Sequence, residues 1–546
     1  DVTHIESSAE IGGDMVVGGN LRSAAFGGSQ SVVNGDVAVK GDLFSFALNG
    51  SGLNGNMTVN GRLSMLAARS GINGKLTAGS IASARLLGPS GISGAVETLT
   101  GDIDFIASSD PISTPIETMG RIGTIVAMQG IESTADITAG AGLGTLFSRG
   151  DVDADITVDG NVDLVSIMDG DLVGSLQVSN GNVGRVVIAR GSVAGGDWAP
   201  GISITDGSLG LLQIHNPAGM AVNDEIFVGD RLERAVFTGS VGAPVTAGDG
   251  EDGDGLGSLL LRGDLDADLM VDGDLGVFTM VGGQVTNNHN SDARISVTGR
   301  AGTMQIVGYT GAGAAIQDDV SVGGRIDRFV VNGNGSTGTL TANSMGTVVY
   351  RTASGVQGDI HAQTNLDVLH SLGPVNATVR AGRKAGTIFI AGDVGSGGVI
   401  DVGSGRAGDR LAQLTVRGDF LGTAKTDGDL SRVSISGGMG SSGSGALIDV
   451  DRGDVDRLAI LGDMVNADVE VDETLASVLV GRNFSDSGID AGDMNRVVVR
   501  GAISGQGIAE DKIHAATGRF DLFAGGFFYD IDGTSRNLNG VAVSVG

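Results

Sequence analysis

The chain has 546 residues, of which 96 are glycine and 7 are proline, with no cysteine and a formal net charge of −30. The low proline content excludes collagen, the 41% apolar content excludes a disordered chain, and the missing cysteine excludes disulfides and Cys-ligated zinc. The negative charge argues against nucleic-acid binding, because it repels phosphate backbones. The sequence contains no stretch of about 20 apolar residues, so no membrane span is predicted.

The N-terminal residues 1–20 are predicted to form a strand and a partial cap. An alternating apolar stretch occupies residues 11–17, and only ten residues precede it, too few for the polar cap that a repeat array needs. The chain begins at Asp1 without an apolar leader. We therefore expect an extracellular or cell-surface protein whose export signal has been removed.

Residues 21–519 carry a short template that predicts one continuous stack of coils. The template is glycine, a polar residue, and apolar residues at offsets 0, +3 and +5, as in residues 160–167 and 428–435. Offsets +3 and +5 follow strand alternation, so both side chains face inward. The first apolar position recurs 24 times between Leu21 and Phe520, at spacings of 18 to 26 residues.

A second alternating strand lies between successive templates, for example in residues 154–160 and 467–472. A unit of this size has no core of its own and must stack on its neighbours. The sequence therefore predicts an all-β fold, a single long parallel β-solenoid (β-helix) of about 24 coils. The crossover preference of parallel strands favours a right-handed coil.

Charged residues recur at two template positions and predict an outward-facing stripe. We interpret the stripe as a solvated face whose opposite charges keep the coils in register, with a charged binding surface as the alternative. Arginine occupies offset +2 and aspartate occupies offset −1 in these coils: Arg185, Arg234, Arg328, Arg432, Arg457 and Arg496; Asp42, Asp102, Asp274, Asp429, Asp454 and Asp493.

Inserted loops, expected along one side of the coils, are candidate ligand-binding surfaces: residues 194–200, 242–255, 286–293, 308–318 and 437–445. One of them resembles the start of an Asp-x-Asp-x-Asp-Gly calcium loop, with Glu251 at the central position and no downstream bidentate glutamate. Carboxylates among flexible glycines can surround Ca²⁺, which is the only cofactor that the sequence suggests. The predicted ligands are Asp249, Glu251, Asp252 and Asp254, and the alternative is an acidic solvated turn.

The C-terminal residues 520–546 are predicted to be an aromatic-rich coil and a terminal strand. Open strand edges invite pairing with another chain, so we expect this end to dock head-to-tail onto another copy. The alternative is a self-contained cap. The predicted self-association residues are Phe523, Phe527, Phe528, Tyr529, Val541, Val543 and Val545.

The chain is not predicted to be an enzyme. No nucleophile elbow, phosphate loop or zinc-helix motif occurs, and aspartates are too plentiful for any pair to indicate acid–base catalysis. The six histidines are scattered singly: His4, His215, His289, His361, His370 and His514.

The glycine-punctuated coils, the acidity and the absent cysteine resemble the β-helical repeat regions of large bacterial extracellular proteins, such as autotransporter passengers, adhesins and surface fibres. The resemblance is one of architecture and transfers no site residues. It implies an exported structural protein, here expected to self-associate end to end into a filament or lattice. The alternatives are a monomeric adhesin that binds a ligand such as a cell-surface polymer through its loops, and, second, a polysaccharide-active β-helix enzyme.

Overall fold

A computed structural model describes residues 1–28, 32–50, 52–69, 72–87, 94–195, 200–249, 255–286, 294–309, 311, 314–406, 408–505, 512–531 and 536–545. These residues form strands, bridges and turns, and no helix occurs among them. The strands stack as coils about 21 residues apart, giving a β-solenoid of about 23 turns. This confirms the predicted all-β parallel solenoid.

The first 26 strands are short, and most have three to seven residues. Their bounds are β1 Ile5–Ser7, β2 Met15–Val17, β3 Ala24–Phe26, β4 Val37–Val39, β5 Phe46–Leu48, β6 Met57–Leu63, β7 Leu66–Ala68, β8 Leu76–Ile81, β9 Ala84–Leu86, β10 Val96–Thr98, β11 Ile103–Ser108, β12 Ile116–Thr118, β13 Ile122–Ala127, β14 Ile137–Ala139, β15 Leu143–Ser148, β16 Ile156–Asp159, β17 Val162–Ile167, β18 Leu176–Ser179, β19 Val183–Ile188, β20 Ile202–Ile204, β21 Leu209–Val222, β22 Ile226–Val228, β23 Arg231–Val241, β24 Val245–Ala247, β25 Gly255–Arg262 and β26 Leu269–Val271.

The remaining strands include several longer ones that run through a bend of the coil. Their bounds are β27 Asp274–Val281, β28 Ile295–Val297, β29 Ala301–Tyr309, β30 Val320–Gly333, β31 Leu340–Tyr350, β32 Ile360–Ala362, β33 Asn365–Ser371, β34 Thr378–Ala381, β35 Lys384–Ile390, β36 Val399–Val402, β37 Arg410–Val416, β38 Thr423–Thr426, β39 Asp429–Ile435, β40 Ala446–Val450, β41 Arg457–Ile460, β42 Met464–Val465, β43 Ala467–Val480, β44 Phe484–Ser485, β45 Gly488–Val499, β46 Ile503–Ser504, β47 Lys512–Thr517, β48 Phe520–Ala524, β49 Phe527–Ile531, β50 Arg536–Leu538 and β51 Val541–Val545.

The chain divides into two compact units, Asp1–Asp274 and Leu275–Gly546. Within each unit, the described strands of one coil lie parallel on those of the coil before it, in unbroken register where β5 pairs with β3 and β7 and where β35 pairs with β33 and β37, and with local register shifts elsewhere, as between β21 and β23. The predicted boundaries at residues 20 and 519 stay predictions.

The coil that begins at Leu43 shows how the template folds. Leu43 forms one isolated bridge to each of the two neighbouring coils, and Leu53 does the same further along the coil. Between them, Phe46 and Leu48 point inward from β5. All four side chains are fully buried. The apolar residues at offsets 0, +3 and +5 therefore line the core, as the alternation predicts.

The last template is displaced by one residue from its predicted register. With Phe520 at offset 0, Phe523 would face inward, but β48 pairs so that Leu522 lies beside Val497. Leu522 and Ala524 are buried, and Phe523 faces outward with 42% of its surface exposed. The ladder to β45 fixes this register, because a slip of one residue would exchange the inner and outer faces.

Candidate functional site

Aspartates at offset −1 accept hydrogen bonds from backbone amides of the next coil, although Asp493 accepts from the amide of its own neighbour Met494. Asn20 Oδ1 accepts from the Asp42 amide at 2.8 Å, and Asp42 Oδ1 accepts from the Arg62 amide at 2.9 Å. Asp102 Oδ1 likewise accepts from the Arg121 amide at 2.7 Å. Side chains of this kind satisfy amides at a bend.

The same kind of hydrogen bond, from a backbone amide to an aspartate of the neighbouring coil, occurs at two other bends. Asp36 Oδ1 accepts from the Asn56 amide at 2.8 Å, and Asp151 Oδ1 accepts from the Asp171 amide at 2.9 Å. The second unit repeats the arrangement, with Asp419 accepting from the Gly438 amide at 2.7 Å. Many of the chain's carboxylates are therefore built into the bends of the coils.

The glycine of the template makes room for these side chains. A Cβ on Gly41 would lie 2.2 Å from Asn20 Oδ1, and a Cβ on Gly61 would lie 2.2 Å from Asp42 Oδ1. No side chain fits at such distances, so only glycine lets the polar oxygen beneath reach the next amide. The recurring glycine–polar pair is thus a packing requirement of the stack.

The arginine stripe does not pair with these aspartates. All six arginines at offset +2 are exposed, and Arg432 and Arg457 occupy directly paired positions of β39 and β41. Among the described residues, none of the six has a carboxylate within the 4.0 Å that defines an ion pair. The expected register-keeping by opposite charges across the stripe is therefore not seen; the aspartates keep register through backbone amides instead.

Some of the ion pairs span two coils, whereas others, such as Lys425–Asp449 at 2.8 Å, join neighbouring coils. Arg62 reaches Asp104 at 3.1 Å, and Arg325 reaches Asp367 at 2.7 Å. The hydrogen bond to Asp367 raises the pKa of the Arg325 guanidinium. The long arginine side chain lies across the coil between the two partners.

Three predicted calcium ligands, Glu251, Asp252 and Asp254, lie outside the described residues. The fourth, Asp249, follows β24 and is exposed. No group of three His, Asp or Glu side chains suited to a metal ion occurs in the described part of the chain. Calcium binding by the acidic loop stays a prediction.

Two antiparallel hairpins follow the last parallel strands. In the first, β49 pairs with β48 through a two-residue turn at Gly525 and Gly526, whose φ values of 56° and 82° require glycine-like freedom. In the second, β50 pairs with β51, and β51 also lies parallel on β47. Asn539 and Gly540 form that turn with φ values of 53° and 92°.

The hairpins divide the predicted self-association residues into two groups. Val541 and Val543 are fully buried within the chain, and Tyr529 and Val545 are half-buried. Phe523, Phe527 and Phe528 are 42%, 67% and 58% exposed, and the rings of Phe523 and Phe528 lie 6.2 Å apart on facing strands. Phe527 pairs with Ala524 and therefore points to the other face of the hairpin. We call these three exposed residues at the end of the hairpin the aromatic surface.

Exposure of this kind is unusual for phenylalanine in the chain. Eight phenylalanines are almost completely buried: Phe26, Phe46, Phe237, Phe278, Phe329, Phe420, Phe484 and Phe520. Outside the aromatic surface, Phe44 is the one further phenylalanine among the exposed large apolar residues of the described chain. Clustered exposed aromatic residues are typical of interaction surfaces.

The first coil also leaves apolar side chains uncovered. Ile5, Ile11 and Met15 are half-buried, and Val2 is 36% exposed, whereas the equivalent positions of later coils are fully buried. Strands β1 and β2 pair with β3 and β4 of the following coil.

Comparisons with protein-family models, with curated proteins and with solved structures gave no match. In the part of the chain that the structure describes, no helix is long and apolar enough to cross a membrane. The structure supports the β-helical architecture of the resemblance, and the bacterial-surface type stays an expectation.

Proposed function

We propose that the chain is an extracellular structural protein, a β-solenoid subunit that self-associates end to end. The observation that carries the proposal is the aromatic surface of Phe523, Phe527 and Phe528. Covering an exposed phenylalanine is worth about 1.5 kcal/mol or more, so covering the paired rings of Phe523 and Phe528 together with Phe527 gives a contact with substantial free energy.

The partner is a second copy of the chain, which presents the half-exposed apolar residues of its first coil. At the β50 edge the contact is made by side chains rather than by strand addition, because this strand is only three residues long and exposes Arg536 and Asn537. Short, charged edge strands resist pairing with another chain. A contact between two different surfaces repeats from copy to copy and so produces a filament or lattice.

The test is sedimentation velocity over a range of protein concentrations, followed by negative-stain microscopy. Replacing two rings in the variant F527S/F528S should weaken association about a hundredfold, since it removes about 1.5 kcal/mol per ring. The matched control is Leu372→Ser, because Leu372 is 50% exposed but lies outside the aromatic surface. A wild-type chain that stays monomeric at high concentration, or a double variant that associates like the wild type, contradicts the proposal.

A further inference from the structure

A short segment of this acidic chain carries an excess of positive charge. Residues 380–410 contain three aspartates and five cationic side chains, in a protein with a net charge of −30. All five cationic side chains are exposed: Arg380, Arg383, Lys384, Arg406 and Arg410. Such a local reversal attracts anions that the rest of the surface repels.

Three of these arginines line a cleft of about 470 Å³ on the outside of the coils. Arg380 lies beside His361 on the adjacent strand, at the outward position of β34 and β32, so the two side chains are about 4.8 Å apart at their bases. Arg383, Arg406 and Gln363 also line the cleft.

The described residues 403–406 and 408–409 hold one wall of the cleft in place. Asp409 Oδ2 accepts hydrogen bonds from the amides of Ser404 at 2.8 Å and Arg406 at 3.0 Å. Burial alone would raise the pKa of Asp409, but these hydrogen bonds and the charge of Arg383 lower it overall. The buried carboxylate therefore stays ionised and fixes the loop that carries Arg406.

The arginines of the cleft are only weakly neutralised. Arg380 approaches Asp401 at 3.4 Å, and Arg383 Nε lies 3.8 Å from Asp409 Oδ1, which has no hydrogen-bond partner among the described residues. Arg406 has no carboxylate within 4.0 Å in the described chain. Guanidinium groups that lack a close carboxylate partner bind planar or tetrahedral oxyanions through paired hydrogen bonds.

We propose that this cleft binds a short saccharide carrying carboxylate or sulfate groups. Arg380 and Arg406 bind the charged groups, and the amide of Gln363 supplies a hydrogen bond to a sugar hydroxyl. The cleft volume lies within the range of about 300 to 1,000 Å³ that is usual for small-ligand sites. The ligand is short because a long polyanion would extend over the acidic surface on either side.

The test is titration calorimetry of the full chain with three tetrasaccharides, one sulfated, one built of uronic acids and one neutral. We expect one or both anionic ligands to bind, with affinity falling as salt screens the charges, and the neutral ligand not to bind. Comparison of the sulfated with the uronic-acid tetrasaccharide shows whether the cleft accepts sulfate or carboxylate groups.

Two double variants with the same charge change separate the cleft from the general electrostatics. R380Q/R406Q should weaken binding at least about tenfold, since each substitution removes a charge-assisted hydrogen bond. R432Q/R457Q should bind like the wild type, because both arginines are exposed but lie outside the cleft. Arg383 is left intact, since its removal would isolate the buried Asp409 carboxylate.

The proposal is overturned if neither anionic ligand binds at millimolar concentration, or if both double variants lose affinity equally. Thermal melts of the variants show whether a loss of binding reflects unfolding, and R380K/R406K, which keeps both charges, should recover part of the affinity. The cleft lies in different coils from the aromatic surface, so failure of this proposal leaves self-association untouched.

Discussion

The carboxylate of Asp42 provides a direct test of the polar ladder between coils. Asp42 is half-buried, and its Oδ1 accepts from the Arg62 amide at 2.9 Å. In Asp42→Ala the amide loses this acceptor, while in Asp42→Asn the side-chain oxygen remains. The two variants therefore separate the hydrogen bond from the negative charge.

The expected loss follows from the bond and its surroundings. A hydrogen bond to a charged group contributes about 1.5 to 3 kcal/mol, and partial access of water to a half-buried site lowers the net value to about 1.5 kcal/mol. A neutral acceptor is roughly half as strong as a charged one. We therefore expect Asp42→Ala to cost about 1.5 kcal/mol and Asp42→Asn to cost about 0.5 kcal/mol.

Hydrogen exchange of the Arg62 amide is the appropriate assay, because stacked repeats need not unfold in a single two-state transition. A loss of about 1.4 kcal/mol corresponds to tenfold faster exchange. The control is Asp104→Ala, which removes only the surface ion pair to Arg62, in which both side chains are 57% exposed, and should change little. Equal exchange in wild type and Asp42→Ala would refute the structural role of the ladder, and equal losses in both Asp42 variants would assign the effect to charge.

Three further predictions concern the backbone, a carboxylate stack and calcium. Gly61→Ala should destabilise by about 2 kcal/mol, because the added Cβ would overpack against the coil beneath; thermal melts should show no such loss for Gly18→Ala, whose Cβ meets nothing within 4 Å. Burial and neighbouring carboxylates raise the pKa of Glu470 in the folded chain. The free energy of unfolding therefore falls as the pH rises from the ordinary glutamate pKa, which applies to the unfolded chain, to the raised pKa of the folded chain. Glu470→Gln should thus stabilise by about 0.5 kcal/mol at neutral pH, because it removes the repulsion from the paired carboxylates of Asp449 and Asp490, and the gain should vanish in acid. Chelation should lower the melting temperature through the acidic loop 249–255, and an unchanged melt would argue against calcium there.

Much of the fold is readable from the sequence because the core depends on a local period. Leu43, Phe46 and Leu48 face inward as their alternation predicts, and the parallel ladder repeats that pattern from coil to coil. The predicted register of the final template is wrong because the spacing of apolar residues after Phe520 matches the template when the neighbouring coil is left out of account. Its true register depends on pairing with β45, a contact between residues more than twenty positions apart.

The polar sites were harder to predict because their partners lie one or two coils away. The glycine–aspartate pair is visible in the sequence, but its acceptor role appears only when the next coil is laid on it. The ion pairs Arg62–Asp104 and Arg325–Asp367 both join residues 42 positions apart, a spacing of two coils that a count of charge separations could have found. The cationic cleft had a signal too, in the reversed charge of residues 380–410.

The ladder also changes what the acidity of the protein means. Asn20 and Asn182 perform the same backbone role as aspartate, so neutral side chains suffice for register. Aspartate at the other bends adds a stronger acceptor and leaves a negative charge on the surface of nearly every coil. Like charges discourage the sides of two copies from meeting. The two contacts that we propose, at the aromatic surface and at the cationic cleft, both lie where uncharged or cationic side chains interrupt this negative charge.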